Sequence, residues 1–286
     1  GGFGLLAVSL AACNTSSDDA TTTTSTTTTT TTTPATPAAQ TFILTTAPQA
    51  LVGGDGADTF YGLSGASAEA ATDTLGAADS VDGGAGTDTF FVTNTATNTG
   101  TLGESMVQNI EIFNVRATAG TSTFDATLVS GETAVNAYLA TGTVTITGLA
   151  SGASAGMTGN SNVTNGAFNA GWAATVTTAT VNIDGGTTAG AVTLSGTGLT
   201  TMTINSTGAK NTVGAVALPA TTTTLTIDAP TNLTTGALTN TGAAAMTSLT
   251  IKGAGAVNLS TTALEATVKT ITASDNSGGV TLTMPT

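Results

Sequence analysis

The feature that most constrains this chain is a short strand that keeps returning. Thr-Val-Asn-Ile (180–183), Thr-Met-Thr-Ile (201–204), Thr-Leu-Thr-Ile (224–227), Ser-Leu-Thr-Ile (248–251) and Thr-Ile-Thr-Ala (270–273) begin about 21–24 residues apart. A second series runs between them at a similar period: Ala-Val-Thr-Leu (191–194), Ala-Val-Ala-Leu (215–218), Gly-Ala-Leu (236–238), Ala-Val-Asn-Leu (256–259) and Gly-Val-Thr-Leu (279–282). Two strand series interleaved at one period predict a solenoid, each turn adding one strand to each ladder. Inside the strands Met202/Ile204, Leu225/Ile227 and Leu249/Ile251 point one way and their Thr or Ser neighbours the other, the alternation of a half-buried strand. Thr is β-branched and suits a strand surface. Asp184-Gly185-Gly186, Asn205 and Asp228-Ala229-Pro230 follow strands where turns are needed.

No helical periodicity competes. The expectation is an all-β fold, a narrow parallel β-helix or β-solenoid, right-handed by the crossover rule. It places Ile204, Ile227 and Ile251 in one internal stack and Leu194, Leu218 and Leu259 in the facing one. Segments 109–115 and 143–147 read as less regular turns of the same body. Trp172 with Phe168 reads as a loop plug or end cap, and Asp184 and Asp228 as turn formers. The final Thr-Met-Pro-Thr follows a strand with no capping segment, so the natural chain is expected to continue.

Charge narrows the function. Only 7% of residues are charged, against about 25% in an average domain. Lys plus Arg total 4, Asp plus Glu 17, and the net charge is -13. Four scattered cations, Arg116, Lys210, Lys252 and Lys269, do not make the positive footprint that nucleic acid requires. The chain has no His, which removes Ser-His-Asp and Cys-His nucleophile systems and His-ligated zinc. A β-helical polysaccharide lyase wants a cationic base or electrophile, and one Arg with three dispersed Lys is a poor supply. The chain is not expected to be an enzyme.

The first forty residues read as an address and a tether. Residues 1–13 are a short apolar stretch ending Leu10-Ala11-Ala12-Cys13, too short to span a bilayer and suited to a secretory signal. That ending resembles the bacterial lipobox, which makes Cys13, the only Cys, the lipidation site. The missing initiator Met and basic segment read as clipping. One Cys excludes an intramolecular disulfide. Residues 14–40 open on Asn, Ser and Asp-Asp, continue as an almost pure Thr run over 21–33 and end with Pro34 and Pro37 among Ala, a composition that buries no face and reads as a disordered linker.

Residues 41–135 form an acidic, glycine-rich β region, and 136–286 the solenoid repeats. In the first, Gly53-Gly-Asp-Gly-Ala-Asp-Thr-Phe-Tyr and Gly83-Gly-Ala-Gly-Thr-Asp-Thr-Phe-Phe fit a calcium-binding nonapeptide, G-G-x-G-x-D-x-U-x. Asp58 and Asp88 supply hard carboxylate oxygens, Phe60 and Phe90 point inward, and Gly53, Gly56, Gly83 and Gly86 let carbonyls converge. Asp55, Asp73, Asp79 and Asp82 lie nearby, with no Lys or Arg before Arg116. The expected ligand set for Ca²⁺ is Gly53, Asp55, Gly56, Asp58, Asp79, Asp82, Gly83, Gly86 and Asp88. The two copies stand about thirty residues apart rather than nine, so a full tandem array is not expected. The alternative is a pair of Gly/Asp turns without metal.

These motifs, with Thr41-Phe-Ile-Leu-Thr-Thr before them, Ala78-Asp-Ser-Val-Asp between them, Asn109-Ile-Glu after them and the Ala/Thr/Val ladders that follow, resemble calcium-dependent, RTX-like β-strand-repeat surface-layer proteins of Gram-negative bacteria. The resemblance covers roughly residues 40–286 and implies calcium-stabilised self-assembly into a two-dimensional coat. Such proteins leave by a C-terminal secretion signal and are not lipidated, so the lipobox points to a lipid-anchored relative. The expected function is a structural protein at the extracellular face of the outer membrane, self-associating into a lattice or filament. The alternative is a lipid-anchored adhesin or binding module presenting one face to a surface glycan or another cell. Ice binding by the Thr201/Thr203, Thr224/Thr226, Ser248/Thr250 and Thr270/Thr272 ladder is a variant of that alternative, and plain β propensity is the favoured account of the ladder.

Overall fold

The structure, a computed structural model, describes residues 37–64, 74–76, 78–95, 106–160, 162–240 and 246–285. Cys13, the linker to residue 36 and Asp73 lie outside them. The described residues belong to one compact unit.

Among these residues every ladder between strands is parallel, and the strands stack as a β-solenoid. The longest sheet has eleven strands: Thr41–Ile43, Thr59–Ser64, Thr89–Asn94, Ile112–Ala117, Ala134–Tyr138, Ser154–Thr158, Thr178–Asp184, Thr201–Thr207, Thr224–Asp228, Ser248–Lys252 and Thr270–Thr272, in sequence order. Sequence-order neighbours in a parallel sheet require a crossover per strand, and here the crossover is the rest of each turn. In the N-terminal turns it carries the strands Ala50–Val52, Ser80–Asp82 and Met106–Gln108, which form a sheet of three.

From Thr121 onward the turns gain two six-stranded sheets. One holds Thr121–Asp125, Thr143–Leu149, Phe168–Trp172, Val192–Ser195, Val216–Ala217 and Leu238–Thr239; the other holds Thr164–Asn165, Thr188–Ala189, Asn211–Val213, Leu233–Thr235, Val257–Leu259 and Val280–Leu282. The second strand series of the sequence is therefore not one ladder. Its first three members stack together, but 256–259 stacks on Leu233–Thr235 and 279–282 on Val257–Leu259. Leu194 and Leu218 thus belong with one sheet and Leu259 with the other. Strands of two or three residues are too short for alternation to assign them to a face.

The core is a set of columns along the stack. One inner column runs Phe42, Phe60, Phe90, Phe113, Val135, Ala155, Val181, Ile204, Ile227, Ile251. Phe60, Phe90 and Phe113 have no exposed surface and meet edge-on or tilted, with centroids 6.2–6.3 Å apart. The expected stack of Ile204, Ile227 and Ile251 is present and buried. Phe168 and Trp172 are not a loop plug: both sit on one strand with buried side chains, and Trp172 Nε1 donates to the Ala153 carbonyl at 3.1 Å. Asp228 forms an ion pair with Lys252 one turn on, at 2.8 Å.

Candidate cation-binding turns

The two nonapeptides are neighbours in space. Strands Thr59–Ser64 and Thr89–Asn94 pair in register, Thr59 with Thr89 and Phe60 with Phe90. The interval of about thirty residues that separates the motifs in sequence is thus one solenoid turn. The backbones also meet through the glycines: Gly53 N–H donates to the Asp82 carbonyl at 2.8 Å and Ala85 N–H to the Gly54 carbonyl at 2.9 Å.

Gly53 and Gly83 are required by this close approach. A Cβ on Gly53 would run into the Gly83 carbonyl oxygen and Asp58 Oδ2; a Cβ on Gly83 would run into the Asn109 carbonyl oxygen and lie 2.6 Å from Asp88 Oδ2. Beside each glycine, one carbonyl oxygen and one carboxylate oxygen therefore converge, and the arrangement repeats one turn on.

The acids before the strands act first as backbone acceptors. Asp58 Oδ1 accepts the Gln40 N–H at 2.6 Å, Asp88 Oδ1 accepts the Asp58 N–H at 2.7 Å, and Glu111 Oε2 accepts the Asp88 N–H at 2.7 Å. Each acid satisfies the N–H of the corresponding residue in the preceding turn, where a buried donor left unpaired would cost free energy. Asp79 does the same at another corner, taking Gln49 N–H on Oδ1 and Gly76 N–H on Oδ2, each at 2.7 Å. Glu111 escaped the sequence reading; its signal was an acid immediately before a strand, the position shared by Asp58, Asp79 and Asp88.

The expected ligands thus divide. Both oxygens of Asp58 and of Asp79 hold backbone N–H groups. Asp82 accepts from Asn109 Nδ2 at 2.8 Å and Gln108 Nε2 at 2.7 Å, and these amides, with the Gly84 N–H, hold its carboxyl below the ordinary value. Asp55 is exposed. Asp88 differs: it is fully buried, and its Oδ2 has no hydrogen-bond partner. Burial lifts its carboxyl above the ordinary value, the nearby charges of Glu111, Asp58 and Asp82 add to the shift, and the Asp58 N–H opposes it. Among the described residues no three acidic or Cys side chains converge tightly enough to hold an ion by themselves. Any cation here would draw on the carbonyls of Gly83 and Asn109 as well as on the carboxylates.

Elsewhere, a groove of about 510 Å³ is lined by Ser151–Ser154, Thr178–Thr180, Asn182 and Asn205, with no ionisable side chain. Among the described residues no helix is long and apolar enough to cross a membrane. Comparison with protein-family models, with curated proteins and with solved structures finds no match for this chain.

Proposed function

We propose that the chain is a structural surface protein, a β-solenoid whose stacked Gly/Asp turns are tied by Ca²⁺ and whose body packs with copies of itself into a coat. The observation that carries the reading is the buried, unpartnered Asp88 Oδ2, whose neighbouring charges are the carboxylates of Glu111, Asp58 and Asp82. An orphaned buried oxygen of this kind calls for a compensating charge or donor. Oxygen donors fit a hard cation: Asp88 Oδ2 with the Asn109 carbonyl, and one turn away Asp58 Oδ2 with the Gly83 carbonyl. Bound there, Ca²⁺ supplies the positive charge that this column lacks. Asp58, Asp88 and Glu111 meanwhile keep their grip on the preceding turn's N–H groups, so the same acids would align the turns and hold the ion.

The wider reading follows from chemistry of the same kind. Low charge, hydroxyl-rich outer faces and a groove without ionisable groups suit packing better than catalysis. Cys13 would anchor the body to the outer membrane through lipid, with the Thr-rich segment as spacer. The adhesin alternative keeps the same solenoid and assigns an outer face to a ligand.

The test is thermal melting and electron microscopy of the purified protein with Ca²⁺ and with chelator. Calcium should raise the melting temperature, since a ligand bound by the folded state alone stabilises it by mass action, and Asp88→Asn should remove that response. Ordered sheets or filaments should form with Ca²⁺ and disperse in chelator. Melting indifferent to calcium would sink the cation site; a calcium-stabilised monomer that never assembles would favour the adhesin.

A further inference from the structure

The chain has one Arg and two Tyr, and all three project from one patch. Strands Thr59–Ser64, Thr89–Asn94, Ile112–Ala117 and Ala134–Tyr138 alternate inward and outward residues, and Tyr61, Phe91, Arg116 and Tyr138 are among the outward ones. The strand before them adds Ile43, in register with Tyr61, as Tyr61 is with Phe91. Ile43 is 70% exposed and Tyr61 43%; Phe91 and Tyr138 are half-buried and Arg116 is exposed. The rings hold one another: Tyr61 stacks on Phe91 at 5.1 Å, and Phe91 meets Tyr138 edge-on at 5.2 Å. They make a preformed ridge, which a partner meets at little cost in side-chain entropy. The stacking of turns requires no large apolar group to point outward, and exposed apolar patches mark interaction sites. Tyr and Arg are also among the residues enriched where binding energy concentrates.

Charge selects the occupant. None of the five strands contains an acid. Asp58, Asp88 and Glu111 stand just before three of them and Glu132 near the start of a fourth; Asp58 and Asp88 are buried, Glu132 is half-buried, and Glu111 is bonded to the Asp88 N–H. Arg116 lies five residues beyond Glu111, about 16 Å of strand, and among the described residues it makes no ion pair. A cationic partner is drawn instead to the acidic turns. An extended peptide finds no free edge, because the strands that carry the rings are paired on both sides. A second copy fits: turned about a two-fold axis, its ridge lies against this one with no strand acid brought into the contact. Five strands at about 4.8 Å spacing and about 20 Å of strand length give a footprint of roughly 500 Å² on each copy. Two copies together bury about 1,000 Å², the lower bound for a specific interface. We propose that this patch is the face through which two copies of the chain pair. The role of the pair rests on the coat reading, in which it is one contact of the lattice, and no cation takes part in it.

The experiment is sedimentation velocity of the purified whole chain over a range of concentration, in chelator, with photo-oxidative cross-linking of the same samples. Tyr61 and Tyr138 are the only tyrosines, so a dityrosine bond between two chains, identified by mass spectrometry, reports on this face alone. The native protein should show a concentration-dependent dimer and an intermolecular dityrosine. Ile43→Lys and Arg116→Glu, each at an exposed position, should abolish both while leaving the circular dichroism spectrum unchanged. Thr203→Lys, outward on a later strand of the same sheet, should retain both. A folded native protein that stays monomeric and gives no dityrosine overturns the proposal, whether another molecule or nothing covers the patch. Dimers that persist in both patch variants overturn the assignment of the face. Electron microscopy with Ca²⁺ judges the coat separately: pairs that never form sheets sink the coat alone, and sheets formed equally by both variants sink the pairing alone.

Discussion

At the scale of the residue, Asp88 concentrates the tension in the molecule. Its pKa is raised, so the native state holds the proton to higher pH than the unfolded chain does. Without cation, stability should therefore fall as pH rises from the unfolded carboxylate value of about 3.9 through the native one. Asp82 has the opposite shift: its contribution is present at higher pH and is lost as pH falls through its native value. Melting in chelator should thus be higher at mildly acidic than at neutral pH, and Asp88→Asn should flatten that decline. The decline should not vanish, because burial also raises Glu132. A native profile already flat between these conditions would remove the argument. Gly83→Ala tests the neighbouring contact, where the added methyl meets backbone oxygen rather than a movable side chain. Such overpacking should cost about 1–3 kcal/mol, read as a lowered denaturation midpoint. The sequence showed these glycines and acids plainly as a motif. It did not show that Asp58, Asp88 and Glu111 hold one another's N–H groups, because that pairing exists only once turns of unequal length are stacked.

At the scale of the element, alternation carried most of the information. The strands of the long sheet were legible because they are long enough to show two or three inward residues: Met202, Ile204 and Ser206 on one strand, Leu225 and Ile227 on the next. The six-stranded sheet that runs from Thr164–Asn165 to Val280–Leu282 was not legible as a ladder of its own: Thr164–Asn165 and Thr188–Ala189 are strands of two residues, and at that length a turn and a strand read alike. Trp172 was misplaced for a related reason: Phe168-Asn-Ala-Gly-Trp alternates, but Ala and Gly in its middle weaken the pattern. A direct check contrasts the two faces of one strand. Ile227→Ala empties a fully packed column position and should cost about 2–5 kcal/mol. Thr226→Ser, on the outer face, should stay within about 0.5 kcal/mol. Chemical denaturation of both variants decides it, and comparable losses would mean that the strand does not present its faces as described.

At the scale of the whole molecule, a turn touches chiefly the turns before and after it, so stability accrues as a sum of neighbour interfaces. The hydrogen bonds between those turns point along the stack, which has a mechanical consequence. A pull applied between the two chain ends, as on a molecule tethered at one end and gripped at the other, loads the interfaces in series. The terminal turn then peels away by breaking its bonds a few at a time, rather than shearing them together. Successive strands of the long sheet lie about 23 residues apart, as Thr201 and Thr224 do, and each released turn adds roughly 80 Å of chain at about 3.5 Å per residue. Stretching single molecules should therefore give a staircase of small extensions at low force, evenly spaced for the turns from Thr178 onward and longer for the turn between Thr59 and Thr89, and re-folding on relaxation should retrace it. One large all-or-none rupture would contradict this geometry. A body built this way yields by degrees, shedding load one turn at a time while the remaining turns stay folded.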